Sequence, residues 1–195
     1  MGRIFCIVGK SSSGKDTIYK RLLKKQSLQL KRIVPYTTRP IREGEQEGVE
    51  YHFTTVEMMQ QLKAENKIIE CRCYNTVYGK LYYFTAKDSQ IALDKYNYLV
   101  IGTLESYIKT RDYFGADKVV PIYIDLDDGE RLSRALKRER KQRQPKYEEM
   151  CRRFIADEKD FSKENLERAG ITRHFDNYGL NDCINNIVEY INNLI

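Results

Sequence analysis

Long apolar runs are missing from this 195-residue sequence. None approaches the roughly 20 residues that a membrane-spanning helix requires, so no membrane association is expected. There is no internal repeat, low-complexity tract or Gly/Ser-rich linker, which excludes solenoids and beads-on-a-string architectures. Histidine is scarce, with only His52 and His174, and both read as packing or surface residues; a histidine general base is not on offer. The five cysteines, at 6, 71, 73, 151 and 183, are odd in number and scattered. Cys71 and Cys73 are spaced wrongly for a zinc or thioredoxin motif. Reduced, structural thiols in a cytoplasmic protein are the expectation. Met1-Gly2-Arg3 runs straight into an apolar strand, so neither a signal peptide nor a lipidated Gly2 is expected.

What is present is an ordinary globular mixture, 41% hydrophobic and 32% charged, in a length that suits one domain. The net charge of +6 points to an anionic partner. Residues 131–153 concentrate it, with ten Lys/Arg against three Glu. Three readings stand: a nucleic-acid patch, a solvated helix face, or a segment that brings arginines over bound phosphates.

The most informative stretch is Gly9-Lys10-Ser11-Ser12-Ser13-Gly14-Lys15-Asp16-Thr17. It has the spacing of a phosphate-cradling loop, glycine, four residues, glycine, lysine, but Asp16 stands where Ser or Thr is usual. Ile4–Val8 before it reads as a buried strand. Ile18 and Leu22-Leu23 after it fall at helical spacing. Strand, loop and helix in that order aim backbone N–H groups and a helix N-terminus at one point, where Lys15 adds a full charge. A nucleoside triphosphate is the expected ligand. Asp16, a hard oxygen donor, is a possible Mg²⁺ ligand.

The alternation of strands and helices argues for a parallel sheet with helices on both faces. Strands are expected at Ile33-Val34, Tyr51–Thr54, Ile68–Tyr74, Tyr82–Phe84, Tyr98–Ile101 and Val119–Ile124, with a turn near Tyr78-Gly79. Helices are expected from a Thr54/Glu57 capping box to about Ala64, from a Thr85/Asp88 cap, and over Leu104–Phe114 and Glu130–Lys141. A long helix is expected from Tyr147 to Leu166. A last one places Ile184, Ile187, Val188, Ile191 and Leu194 on one face.

A second constellation spans residues 35–53. Arg39 and Arg42 sit three apart in a turn-rich loop, where each can fork onto a phosphate, and Tyr51 can add a hydroxyl. Alternatively this is a surface loop whose arginines pair with Glu43, Glu45 and Glu47. The run Thr-Thr-Arg-x-x-Arg-x-Gly-Glu-x-x-Gly-x-x-Tyr-x-Phe resembles the guanylate kinase family, and the resemblance extends over essentially the whole chain. It implies a P-loop nucleoside monophosphate kinase with a core (1–34, 86–130, 154–195), a small mixed β insert for the monophosphate (about 35–85) and a helical lid (about 131–153).

The resemblance further implies that Arg39, Arg42, Tyr51 and Tyr78 hold the acceptor phosphate and that Glu70 accepts from guanine N1 and N2. It places Arg134, Arg138 and Arg153 in the lid and Asn177 by the adenine pocket. The expected reaction moves the γ-phosphoryl of ATP, with Mg²⁺, to GMP or dGMP. A monophosphate oxygen is already ionised at neutral pH, so Lys15, Arg39, Arg42, Arg138 and Arg153 would act by positioning and charge. Another acceptor base, or a non-catalytic module gripping a phosphorylated ligand, are the alternatives. A monomer or weak homodimer is expected, without nucleic acid. Against the family pattern, Pro35-Tyr36 replaces a serine pair, Lys80 a small hydroxyl residue, and Val100–Leu104 an Asp-x-Asp, for which Asp125 and Asp127 are candidate substitutes.

Overall fold

The computed structural model describes residues 2–42, 44–76 and 79–195. Its main sheet has the order β2-β7-β1-β8-β9. The strands are β1 (Ile4–Val8), β2 (Lys31–Arg32), β7 (Tyr98–Ile101), β8 (Val119–Asp125) and β9 (His174–Asp176), and every pair is parallel. β1 is the centre and all five of its residues are buried. Because side chains alternate across a strand, β1 feeds two cores. Phe5 and Ile7 pack with Ile18 and Leu22 of α1 (Lys15–Leu23) and Ile184, Ile187 and Ile191 of α7 (Leu180–Asn192). Ile4, Cys6 and Val8 pack with Leu104 and Tyr107 of α3 (Leu104–Phe114), with Phe161, and with Leu166 of α6 (Lys163–Arg168). A strand apolar on every residue is what a sheet covered on both faces demands.

A second sheet, ordered β4-β3-β6-β5, stands beside the first. It comprises β3 (Tyr36–Thr37), β4 (His52–Phe53), β5 (Ile68–Thr76) and β6 (Gly79–Ala86). Its core is small: Met59 of α2 (Val56–Ala64), Phe84 and Ala86, flanked by partly buried neighbours. The remaining helices, α4 (Asp128–Glu139) and α5 (Tyr147–Asp160), are joined by a connection over 140–146. Buried Glu139 organises it by accepting from the Lys146 amide and the Gln142 side chain.

Several local expectations are corrected. The second strand lies at Lys31–Arg32, not Ile33-Val34; the Val34 amide leaves the ladder and donates to the Gln90 side chain. The cap of α2 is Thr55, whose Oγ1 accepts from the Met58 amide, rather than Thr54. No helix starts at Thr85. That residue lies in β6 with its hydroxyl donating to Glu70, and Asp88 accepts from the Tyr36 hydroxyl instead of capping. The helix expected from Tyr147 to Leu166 ends at Asp160, because Ser162 turns extended and caps a new one. The helix expected over Glu130–Lys141 runs Asp128–Glu139, capped by Asp127. β9 is too short and too polar to have been seen as a strand. Among the described residues, no helix is long and apolar enough to cross a membrane.

Candidate functional site

The loop 9–14 leaves β1 at its C-terminal end and enters α1 directly. Two glycines are required by geometry. Gly14 has φ +91°, and a Cβ there would collide with the Asn177 amide nitrogen. A Cβ on Gly9 would lie 2.6 Å from the Ile124 carbonyl oxygen. Ser12 is held at φ 64°, a conformation costly for a residue with a side chain and one that clusters at binding loops. Asn177 donates from Nδ2 to the Ser13 carbonyl at 2.7 Å and accepts on its own carbonyl from Arg134 Nη2 at 3.1 Å. These two residues therefore buttress the loop from behind. The buried hydroxyls of Ser12 and Ser13 have no hydrogen-bond partner among the described residues, which suits a loop built to receive an anion.

Lys15 opens α1 inside this cradle. Burial pushes its ammonium below the ordinary lysine value; Asp16 and Asp157 oppose the shift, while Arg153 and Arg138 reinforce it. Its Nζ lies 3.4 Å from the Lys10 carbonyl. α5 is docked onto the loop. The Ser11 amide donates to Asp157 Oδ2 at 2.7 Å, and Arg153 Nη2 reaches Ser11 Oγ at 3.2 Å. Lys10 turns away to pair with Glu158 at 2.7 Å and Asp128 at 3.3 Å. Glu158 is shared with fully buried Arg131 at 3.4 Å.

Across a cavity of about 970 Å³ stands the second sheet. Arg42, Tyr51 and Glu70 line it together with Gly9, Ser11, Lys15, Asp16 and Arg153. Arg39 does not. It is buried between the rings of Tyr51 and Phe53 and held bidentately by Glu45 at 2.6 and 2.7 Å. The hydrogen bond to Arg39 draws the Glu45 carboxyl below its ordinary value. One Arg39 N–H, on Nε, is buried and unpartnered among the described residues. Of the two readings of this loop, pairing within it thus holds for Arg39 and Glu45. Glu47 pairs instead with His52, at 2.9 Å.

Glu70 is buried and lies opposite Thr85 in the β5/β6 ladder. Oε1 accepts from Thr85 Oγ1 at 3.0 Å, and Arg72 forks onto both oxygens at 3.0 and 3.3 Å. Cys6 lies close by, its thiol pushed up to about 12 by burial and then by Glu70.

Other expected residues fall elsewhere. Arg134 and Asn177 are behind the loop rather than in the cavity, and Arg138 is exposed on α4. Thr17 is exposed in the first turn of α1. Tyr78 lies outside the described residues. Asp125 pairs with His174 at 3.1 Å and Asp127 caps α4, so neither replaces the missing acids of Val100–Leu104 in the cavity wall. Arg72, Asp157 and Glu158 were missed. The signal for Arg72 was its position two residues from Glu70, which puts both on one face of a strand. Asp157 and Glu158 carried no such signal, since their partners are 146 and 148 positions away.

With that geometry in view, comparison with known proteins is informative. The family model described as guanylate kinase matches residues 1–195. A guanylate kinase of Neisseria gonorrhoeae is 41% identical over 100 residues, 51% of this chain and 46% of that protein. One from Schizosaccharomyces pombe is 43% identical over 74 residues, 37% of each. One from Campylobacter jejuni is 30% identical over 136 residues, 69% and 64%. The matched part is thus under half the length of the first two relatives. The crystal structure of guanylate kinase from Anaplasma phagocytophilum superposes with a TM-score of 0.65 at 22% identity, over 98% of this chain and 85% of that one. The last likeness speaks to the fold.

Proposed function

The chain belongs to the guanylate kinase family, and from that premise we propose that it is an ATP-dependent nucleoside monophosphate kinase that phosphorylates GMP or dGMP. The observation that carries the reading is one cavity with a phosphate cradle on one wall and Arg42, Tyr51 and Glu70 on the other. A donor and an acceptor fit face to face in such a space, which is what in-line transfer requires.

On the donor side the loop N–H groups and Lys15 take the β- and γ-phosphates of ATP. Arg153, already at Ser11, supplies charge over the group in flight, and Arg138 joins it from α4. Arg134 and Asn177 serve by fixing the loop. Asp16 is exposed on the cavity wall and has no ion pair or side-chain hydrogen bond among the described residues. One carboxylate, with phosphate oxygens and water completing the shell, is how Mg²⁺ is commonly held at phosphate sites, so the residues present fit that ion. Bound there it would neutralise phosphate charge. On the acceptor side Arg42 and the Tyr51 hydroxyl hold the monophosphate. Arg39, outside the cavity lining, serves by packing against Tyr51 and keeping it in place, and Tyr78 belongs to the same set. No general base is needed, because the attacking phosphate oxygen is ionised at neutral pH.

The reading divides the chain into a core (1–34, 86–130, 154–195), an acceptor insert (35–85) and a lid (131–153). It has the protein working in the cytoplasm as a monomer or weak homodimer, without nucleic acid. A coupled ADP-release assay across monophosphates tests it, with GMP expected to give the highest kcat/KM. GMP silent beside an active pyrimidine monophosphate would refute the guanine assignment. ATP failing to bind in calorimetry would leave only a ligand-gripping module.

A further inference from the structure

The base end of the cavity holds an acid and a base on one strand face, where the family pattern as read from sequence has hydroxyls and acids. Pro35 and Lys80 stand at the hydroxyl positions, and Val100–Leu104 at the acidic one. The pair is fixed. Arg72 donates through Nε to Glu70 Oε2 at 3.0 Å and through Nη2 to Oε1 at 3.3 Å. Its Nη1 lies 3.5 Å from the Thr103 hydroxyl at the head of α3. Thr85 adds a donor to Oε1 at 3.0 Å. Both members of the pair border the cavity.

A count of donors and acceptors shows what the pair still offers. A guanidinium has five N–H groups and a carboxylate oxygen two lone pairs. Among the described residues, Oε1 accepts two hydrogen bonds and is full, whereas Oε2 accepts one. Among the described residues, Arg72 spends one N–H on each of Nε, Nη2 and Nη1, leaving two. The pair therefore offers the cavity both a donor, on Arg72, and an acceptor, Glu70 Oε2. A ligand edge that supplies a carbonyl and a ring N–H, the lactam edge of guanine and hypoxanthine, satisfies both. Adenine presents an amino donor and a bare ring nitrogen, which sets donor against donor at Arg72 and acceptor against acceptor at Glu70. A buried site built for one pattern rejects the other strongly, because its own groups are left unpaired.

We propose that Arg72 is the specificity-determining residue of this chain: it donates to the 6-carbonyl of the purine while Glu70 accepts from the neighbouring N1–H. Arg72 thereby takes over a recognition contact that Pro35 and Lys80 cannot make as their counterparts do. The proposal rests on the reading that the cavity takes a nucleoside monophosphate.

The test is equilibrium binding of IMP, GMP and AMP to the full chain, wild type, Arg72→Ala and Arg72→Lys, with phosphoryl transfer assayed separately. IMP and AMP differ only at the edge in question. Wild type should bind IMP and GMP about 10- to 100-fold more tightly than AMP. Arg72→Ala should cut the IMP/AMP ratio severalfold, the remainder being set by Glu70 and the purine N1–H, while ATP binding at the opposite wall stays intact and certifies the fold. Should that variant fail to fold, Arg72→Lys must keep the charge and lose part of the ratio. A ratio unchanged in either folded variant, or wild type holding AMP as tightly as IMP, overturns the proposal. Transfer without oxo-purine preference would sink the role of Arg72 and spare the kinase. Selective binding without transfer would do the reverse, and no binding of any monophosphate would overturn both.

Discussion

The two walls of the cavity are built differently. The phosphate loop hangs from β1, whose every residue is buried and which is packed on both faces by helices. Its shape is set by backbone: left-handed Gly14, the tight approach at Gly9, and Asn177 bracing the Ser13 carbonyl. The acceptor wall is a small sheet over three fully buried apolar residues. Its functional groups are held by side-chain ion pairs, Arg39 to Glu45 and Arg72 to Glu70. A site fixed by backbone tolerates little change in sequence, whereas one fixed by side chains can exchange partners. The loop keeps both glycines and Lys15, with Asp16 its one departure, whereas positions 35, 36, 80 and 100–104 all depart from the family pattern.

The sharpest way to break the comparison is at Lys15. Lys15→Ala should cut phosphoryl transfer by roughly 10²–10³-fold in a coupled ADP-release assay. Its melting temperature should be unchanged or higher, because burial disfavours the charge that the substitution removes. Next comes the core of the small sheet. Phe84 is completely buried, and Phe84→Ala should cost about 3–5 kcal/mol locally. Acceptor binding should collapse while ATP affinity by calorimetry stays within about twofold, on the view that the two walls are stabilised separately. Equal losses on both sides would show the walls to be one cooperative unit.

The smallest effect is expected at Glu45. Its carboxyl lies below the ordinary value in the folded state through the Arg39 hydrogen bond. Such a group adds stability that is complete above its unfolded pKa and lost as pH falls through the lower folded pKa. Acceptor affinity measured by titration should therefore weaken as the pH drops below the usual glutamate range, beginning near pH 4.5. Glu45→Gln should bind the acceptor severalfold less tightly at neutral pH and lack that acid step.

Much of this was legible in the sequence because the relevant forces are local or periodic. The β1–loop–α1 unit is a contiguous run whose glycine spacing and apolar flanks fix it. The single face of α7 follows from 3.6-residue periodicity. Arg42, Tyr51 and Glu70 were placed by a resemblance rather than by composition, and they do border one cavity. What stayed hidden depends on chain reversals that bring distant residues together. Thr85 looks like a helix cap to its neighbours, but β6 pairs it with Glu70 and the hydroxyl goes there. Asp125 and Asp127 looked free to replace the lost acids, yet β9 brings His174 to the first and α4 uses the second.

The docking of α5 on the phosphate loop has a consequence for which anions can enter. With the Ser11 amide donating to Asp157 at 2.7 Å and Lys10 locked to Glu158, an incoming anion must first evict a tethered carboxylate that already lies in contact. On the proposed reading, a single phosphate or sulfate has few bonds with which to replace that contact, whereas a triphosphate that reaches the loop amides, the unpartnered Ser12 and Ser13 hydroxyls and Lys15 together has several. The loop would then select by the number of grips a ligand can make rather than by charge alone.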